Sequence, residues 1–344
     1  MEISQVQLSR RTDRRSPLNF RLSSVEADSR AMEEEVISGL KSTPKTVSPK
    51  YLYDAEGSML FDRICELPEY YPTRTETSIL QRHAGFILDR LGRDLCVIEV
   101  GAGACHKGKL LLETGRVSSF LPVDISVDYL WGAALRVAHI FPHVSVHAVA
   151  MDFLVSLESL ESLVPKAMRR LIFYAGSSIG NFDPSEASCL LRQFSELLRE
   201  DDALLIGYDL KKDPKLLRQA YDDSEGVTAA FNLNLLSRFN RELGADFDLK
   251  AFRHVALYDE TLGRVEMHLE SLSAQEVKIA NERILFERSE RIHTENSYKY
   301  SLNEFDGMAA GVGLARVGIW MDQDGYFAVG LYSRREFRQA GKAA

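Results

Sequence analysis

Three acidic residues stand at the ends of three successive apolar runs: Glu99 in LCVIEVGAGA, Asp124 in SSFLPVDIS and Asp152 in VSVHAVAMDF. Just after the first run come Gly101 and Gly103. Glycines let the backbone turn tightly and approach a ligand closely. The third glycine of a dinucleotide fingerprint is missing, because Cys105 and His106 follow instead. That weakens a pyrophosphate reading and suits a ligand such as S-adenosylmethionine. Asp124 lies about 20 residues beyond the loop, where a carboxylate can accept bonds from both ribose hydroxyls. Asp152 beside Phe153 suits the amine and the ring face of adenine. A helix cap would explain any one of these acids. Three at successive strand ends point to a cofactor cradle.

The elements that must position these residues follow from hydrophobic patterning. Residues 30–41 and 76–91 have helical spacing. From about 95 to 209, five short apolar runs alternate with helix-like stretches, among them 127–140 and Pro184–Leu198. Such alternation implies a parallel sheet with helices on both faces, with chemistry just past the strand C-termini. After Asp209 the alternation stops. Residues 214–243 are helical in pattern, and RVEMHLES with neighbouring runs suggests antiparallel strands. Residues 302–314 read as a helix, and the segment after them as a hairpin turning at Asp324–Gly325. The expected fold class is α/β: a doubly wound seven-stranded domain with an interleaved α+β domain.

The chain has 344 residues and a net charge of −8, with 45% hydrophobic and 27% charged residues. That is ordinary for a soluble protein with a second lobe. The acidic balance argues against a nucleic-acid partner. No apolar run is long enough for a membrane span. The four cysteines form no CxxC pair, and none of the eight histidines has metal-ligand spacing on a helix, so no metal is assigned. The N-terminus is Arg-rich without an apolar core, so residues 1–29 read as a mostly mobile arm and the protein as cytoplasmic; a monomer acting on a small molecule is expected.

Several stretches carry a likeness. YDAEGSMLFDRICELPEYYPTRTE, VIEVGAGACHKGKLLLE, PVDIS, SSIGNFDP, GYDLKKDPKLLRQAYDD, VTAAFNLNLLSRFNREL, RVEMHLES and ERIHTENSYKYS run from about residue 30 to the end. The chain resembles the histidine Nα-methyltransferases of ergothioneine biosynthesis, which make hercynine, the trimethylated betaine of histidine. PEYYPTRTE and IGNF are specific to that group; the glycine loop is not. The resemblance implies a substrate-binding domain over 30–75 and 211–297 and an S-adenosylmethionine domain over 76–210 and 298–344. It also implies that Gly101 and Lys107 contact the methionine part of the cofactor, Asp124 the ribose, and Asp152 and Phe153 the adenine. Asn181 and Tyr221 match residues that hold the substrate carboxylate, Tyr53 a tyrosine near the reacting amine, and Tyr71 one near the imidazole. Glu295 and Ser297 match the pair that reads the imidazole, with Met267 lining the pocket.

Each residue has a plainer reading beside it. Lys107 suits a solvated first turn, Asn181 a turn, the tyrosines and Met267 a core, and Glu295 an exposed charged stretch. Two other functions are open: Nα-methylation of another amino acid such as tryptophan, and a non-catalytic S-adenosylmethionine-binding module. The Glu295/Ser297 pair separates histidine from tryptophan, because an indole pocket has no use for a carboxylate. Convergent polar groups at Asn181, Tyr221 and Tyr71 speak for catalysis on a small molecule.

Overall fold

The structure, a computed structural model, describes residues 9–11, 17–24 and 29–334. Its backbone divides into two compact units. One takes the described residues before Ala27, then Pro72–Leu210 and the described residues from Tyr300 onward; the other takes those from Ser29 to Tyr71 and Lys211–Lys299.

The first unit is built on a nine-stranded sheet. In sheet order its strands are Ser9–Arg11, Phe20–Ser24, Ser145–Ala150, Val117–Asp124, Leu95–Val100, Arg170–Tyr174, Ala203–Asp209, Phe327–Ser333 and Ala315–Met321. The six from Phe20–Ser24 to Ala203–Asp209 run parallel, and the C-terminal pair and Ser9–Arg11 are antiparallel. Leu95–Val100, Arg170–Tyr174 and Ala203–Asp209 are buried at every position. Parallel strands covered on both faces need such unbroken apolar runs, which is why these were legible. Helix Pro184–Leu197 starts with a capping box, Asp183 and Glu186 each serving the other's backbone. The closing hairpin turns over Asp322–Gly325, where the Asp322 carboxylate accepts the Tyr326 and Phe327 N–H groups, both at 2.8 Å.

The sheet exceeds the expected seven strands by two, and both come from the segment expected to be a mobile arm. Phe20–Ser24 pairs in parallel with Ser145–Ala150, from Phe20 opposite Val146 to Ser24 opposite Ala150. Phe20 and Leu22 alternate into the core, and the Asn19 amide donates to the carbonyls of Ala138, Phe141 and Val144. Two apolar side chains and one well-placed amide thus fasten residues in a polar context. The rest of the arm expectation, residues 1–8, 12–16 and 25–28, lies outside the described residues.

The second unit holds a four-stranded sheet in the order Lys45–Thr46, Arg291–Tyr298, Arg264–Ser271, Phe252–Asp259. Helix Val227–Glu242 packs on helix Ala55–Glu66 and on this sheet. The expected helical stretch 214–243 is two helices, Pro214–Gln219 and Val227–Glu242. Asp223 makes the break, accepting the N–H groups of Val227 at 2.9 Å and Thr228 at 2.7 Å as a side-chain cap. Among the described residues no helix is long and apolar enough to cross a membrane.

Candidate functional sites in the two units

In the first unit the strand Leu95–Val100 runs into Gly101 at φ +69° and Gly103 at φ +49°, with open space where a side chain would project from either. Asp124, at the end of Val117–Asp124, ties this loop down: one carboxylate oxygen accepts the Gly103 N–H at 2.8 Å and the other the Ser126 N–H at 3.0 Å. Burial raises its pKa above the ordinary value, and these backbone bonds oppose the rise. Carboxylate oxygens have two lone pairs each, so capacity remains for a diol. Asp152 caps helix Phe153–Ser156 through the Leu154 N–H at 3.0 Å. The Phe153 ring stands edge-on to Tyr174 at 5.9 Å. Lys107, in helix His106–Leu112, pairs with the buried Glu76 carboxylate at 2.5 Å. Its ammonium has three donors, so this pair does not exhaust it. Asn181 ends the 3-10 turn Ser178–Asn181, which follows Ser177 at φ +59°.

Glu99 takes no outward place among the three strand-end acids. It is buried, it accepts the Gly108 N–H at 3.0 Å, and burial pushes its pKa up to about 8 against the pull of that bond and of Lys107. It braces the start of the helix under the loop. Glu76 was missed by the sequence reading. It is fully buried, it accepts the Gly176 N–H at 2.9 Å, and it holds Lys107. An open glycine loop, a tethered cation and the Asp124 and Asp152 carboxylates at strand ends match the ammonium-carboxylate tail, diol and adenine of S-adenosylmethionine. The residues fit that cofactor.

In the second unit Tyr53 sits between the 3-10 turn Pro49–Leu52 and helix Ala55–Glu66. Asp54 caps that helix through the Gly57 N–H at 2.7 Å and also accepts from Asn234 at 2.8 Å and Arg241 at 2.5 Å. A side chain at Gly57 would meet the Leu52 carbonyl oxygen at 1.8 Å, so YDAEG is a geometric unit that pins Tyr53. The Tyr53 ring packs on Phe61 at 5.6 Å and Phe231 at 5.5 Å, and its hydroxyl hydrogen-bonds Glu295.

Glu295 and Ser297 lie two apart on strand Arg291–Tyr298, buried on one face. Met267 is directly opposite Glu295 on the neighbouring strand, at a register shift that follows Met267. Such a bulge re-aims side chains. Burial pushes the Glu295 pKa up to about 8; Lys299 and the Tyr53 bond pull it down. Tyr221 and Ser297 share a hydroxyl–hydroxyl hydrogen bond of 2.6 Å, and Lys299 donates to both, at 3.0 and 2.8 Å. Of the adjacent tyrosines, Tyr70 faces this group: its ring meets Tyr221 at 6.0 Å and Phe61 at 6.1 Å, and its hydroxyl feels the charge of Glu295. Tyr71 opens helix Tyr71–Asp89 and accepts from Lys212 at 2.7 Å. The sequence alone gives a role to Tyr71, offers Tyr70 only as a core aromatic, and does not single out Lys299. Helical phase after Pro68 is the signal that separates neighbouring tyrosines, and it depends on a helix start that patterning placed at 76.

Residues 32–334 match the family described as histidine-specific methyltransferase, SAM-dependent. The chain belongs to this family. A histidine N-alpha-methyltransferase of Mycolicibacterium smegmatis is 39% identical over 310 residues, 88% of this chain and 95% of that one. One from Mycobacterium tuberculosis is 37% identical over the same shares. Ergothioneine biosynthesis protein 1 of Neurospora crassa is 31% identical over 81% of this chain and 32% of its own length. The cofactor of this methyltransferase is therefore S-adenosylmethionine. Among the described residues, no group of three or more His, Cys, Asp or Glu side chains could hold a metal ion.

Proposed function

We infer that the enzyme methylates the α-amino nitrogen of L-histidine three times in succession, giving hercynine for ergothioneine biosynthesis. The observation that carries this within the family is the Glu295–Ser297 pair, buried on one strand face with Met267 opposite. Neutral imidazole has one N–H donor and one acceptor nitrogen. A carboxylate and a hydroxyl side by side answer both.

The bound cofactor supplies an electrophilic methyl group on a sulfonium. The protein's task is to present a neutral amine, correctly aligned, and positioning of that kind can supply much of the acceleration. In this reading Gly101, Lys107, Asp124, Asp152 and Phe153 hold the cofactor, and Asn181 and Tyr221 hold the substrate carboxylate. The Tyr53 hydroxyl, hydrogen-bonded to Glu295, is the group assigned to orient the reacting amine. Tyr70 and Met267 shape the space around the imidazole, with Tyr71 kept as a candidate through its pairing with Lys212. The same reading has the enzyme act in the cytoplasm as a monomer, on a small molecule and without nucleic acid. A panel of the twenty amino acids with labelled S-adenosylmethionine, read by mass spectrometry, tests it. Histidine should gain three methyl groups and the others essentially none; turnover of tryptophan in preference to histidine would overturn it.

A further inference from the structure

Lys299 is the last residue of the second unit and one of its most deeply buried charges, 2% exposed. Its backbone N–H is held by the Gly263 carbonyl at 2.8 Å, just past strand Arg291–Tyr298. Two residues beyond Ser297, it continues the alternation of Glu295 and Ser297. Its ammonium donates to Ser297 Oγ at 2.8 Å and to Tyr221 Oη at 3.0 Å, and it stands 4.8 Å from the Tyr221 ring centroid. Burying an ammonium is costly unless its surroundings compensate. A lysine kept there is set on two hydroxyls that the proposed function assigns to the substrate.

Hydrogen-bond counting gives the consequence. An ammonium has donors and no acceptor, so both hydroxyl oxygens accept from it. The two oxygens are 2.6 Å apart, so one hydroxyl proton lies between them. The second hydroxyl proton then points away from the three-group cluster. We propose that Lys299 is a positioning residue for the substrate: its buried ammonium fixes Tyr221 and Ser297 as one hydrogen-bond donor directed at the bound amino acid, so that one of the two hydroxyls bonds the substrate directly and the other orients it. The proposal rests on the histidine reading, in which the substrate offers acceptors at its carboxylate and its unprotonated ring nitrogen, the lone pair of its neutral amine being reserved for the methyl group. Without the ammonium the hydroxyl pair could turn either way and would accept as readily as donate. The same cation acts on Glu295, whose titratable neighbours in this unit include Lys299, Tyr53 and Tyr70, and it favours the ionised acceptor form. One lysine thereby sets a donor and an acceptor in opposite sense, as an imidazole demands.

The test uses the full chain with Lys299→Met, which keeps the bulk, and Lys299→Gln, which keeps a donor without the charge. Steady-state kinetics on histidine across pH 6–9 are run beside calorimetry with S-adenosylmethionine. Lys299→Met should raise KM for histidine by about 10- to 100-fold, the scale of losing a hydrogen bond to a charged group, with a smaller change in kcat. It should also move the rising limb of kcat/KM to higher pH and leave the cofactor affinity unchanged. Lys299→Gln should recover part of the KM and none of the shift in the limb. Wild-type KM and pH profile in Lys299→Met would overturn the proposal, as would equal loss of cofactor and histidine binding in both variants. Failure of the wild type to methylate histidine would instead remove the underlying reading.

Discussion

Replacing Glu295 by glutamine keeps the shape of the side chain and removes its charge. In the folded protein this carboxyl titrates near 8, against an ordinary value of 4.5, because it is buried. If the ionised form reads the imidazole N–H, kcat/KM must follow its ionised fraction, since that constant reports groups of the free enzyme. A group titrating near 8 is about 1% ionised at pH 6 and about half ionised at pH 8. The substrate's own amine titrates over a similar range, but it does so equally for both enzymes. The ratio of wild-type to Glu295→Gln kcat/KM on histidine therefore isolates the residue, and it should climb at least about tenfold between pH 6 and pH 8. Stability provides the control. The folded pKa lies above the unfolded one, so the protonated form favours folding. That contribution is fully present below about 4.5, declines as pH rises toward about 8, and is lost above it. Its size is on the order of a few kcal/mol. Glu295→Gln should accordingly melt no lower than the wild type at pH 5 and higher at pH 9. A ratio that stays flat with pH, measured by initial rates, would refute the reasoning.

Three further outcomes are expected. Asp124→Ala releases the Gly103 and Ser126 N–H groups and removes the diol acceptor, so calorimetry should show S-adenosylmethionine binding weakened by about 2–3 kcal/mol. Gly207→Ala would put a methyl group 1.9 Å from the buried Glu76 Oε1, on which Lys107 depends; thermal melting should show a loss of about 1–3 kcal/mol, and an unchanged Tm would count against the packing described. Histamine has no carboxylate for Asn181 and Tyr221, so mass spectrometry should find almost no methylated product; efficient turnover would remove the roles assigned to both.

The alternating apolar runs from 95 to 209 could be read because buried parallel strands allow few other sequences. Strand Phe20–Ser24 could not, because its partner lies far along the chain and only Phe20 and Leu22 mark it. Glu295 and Ser297 were legible as residues two apart on an extended segment. Lys299 continues that spacing, yet in SYKYS it looks like any surface lysine, and burial is what gives it meaning. Glu76 sits in PTRTE, where nothing local shows that it meets Gly176 and Lys107, one a hundred residues away. Tyr70 and Tyr71 differ only in which side of a helix start they occupy.

The place of Phe327–Ser333 bears on how this protein is made. The strand inserts between Ala203–Asp209 and Ala315–Met321, although it is synthesised after both. Until it leaves the ribosome, Ala203–Asp209, buried at every position in the finished sheet, has an unpaired edge. An open apolar edge is a template for pairing with another chain. Translation that stalls before residue 327 would thus yield a nascent sheet prone to aggregate, while release of the final strand closes it. In the interval between those two events the chain carries the kind of exposed edge that chaperones shield.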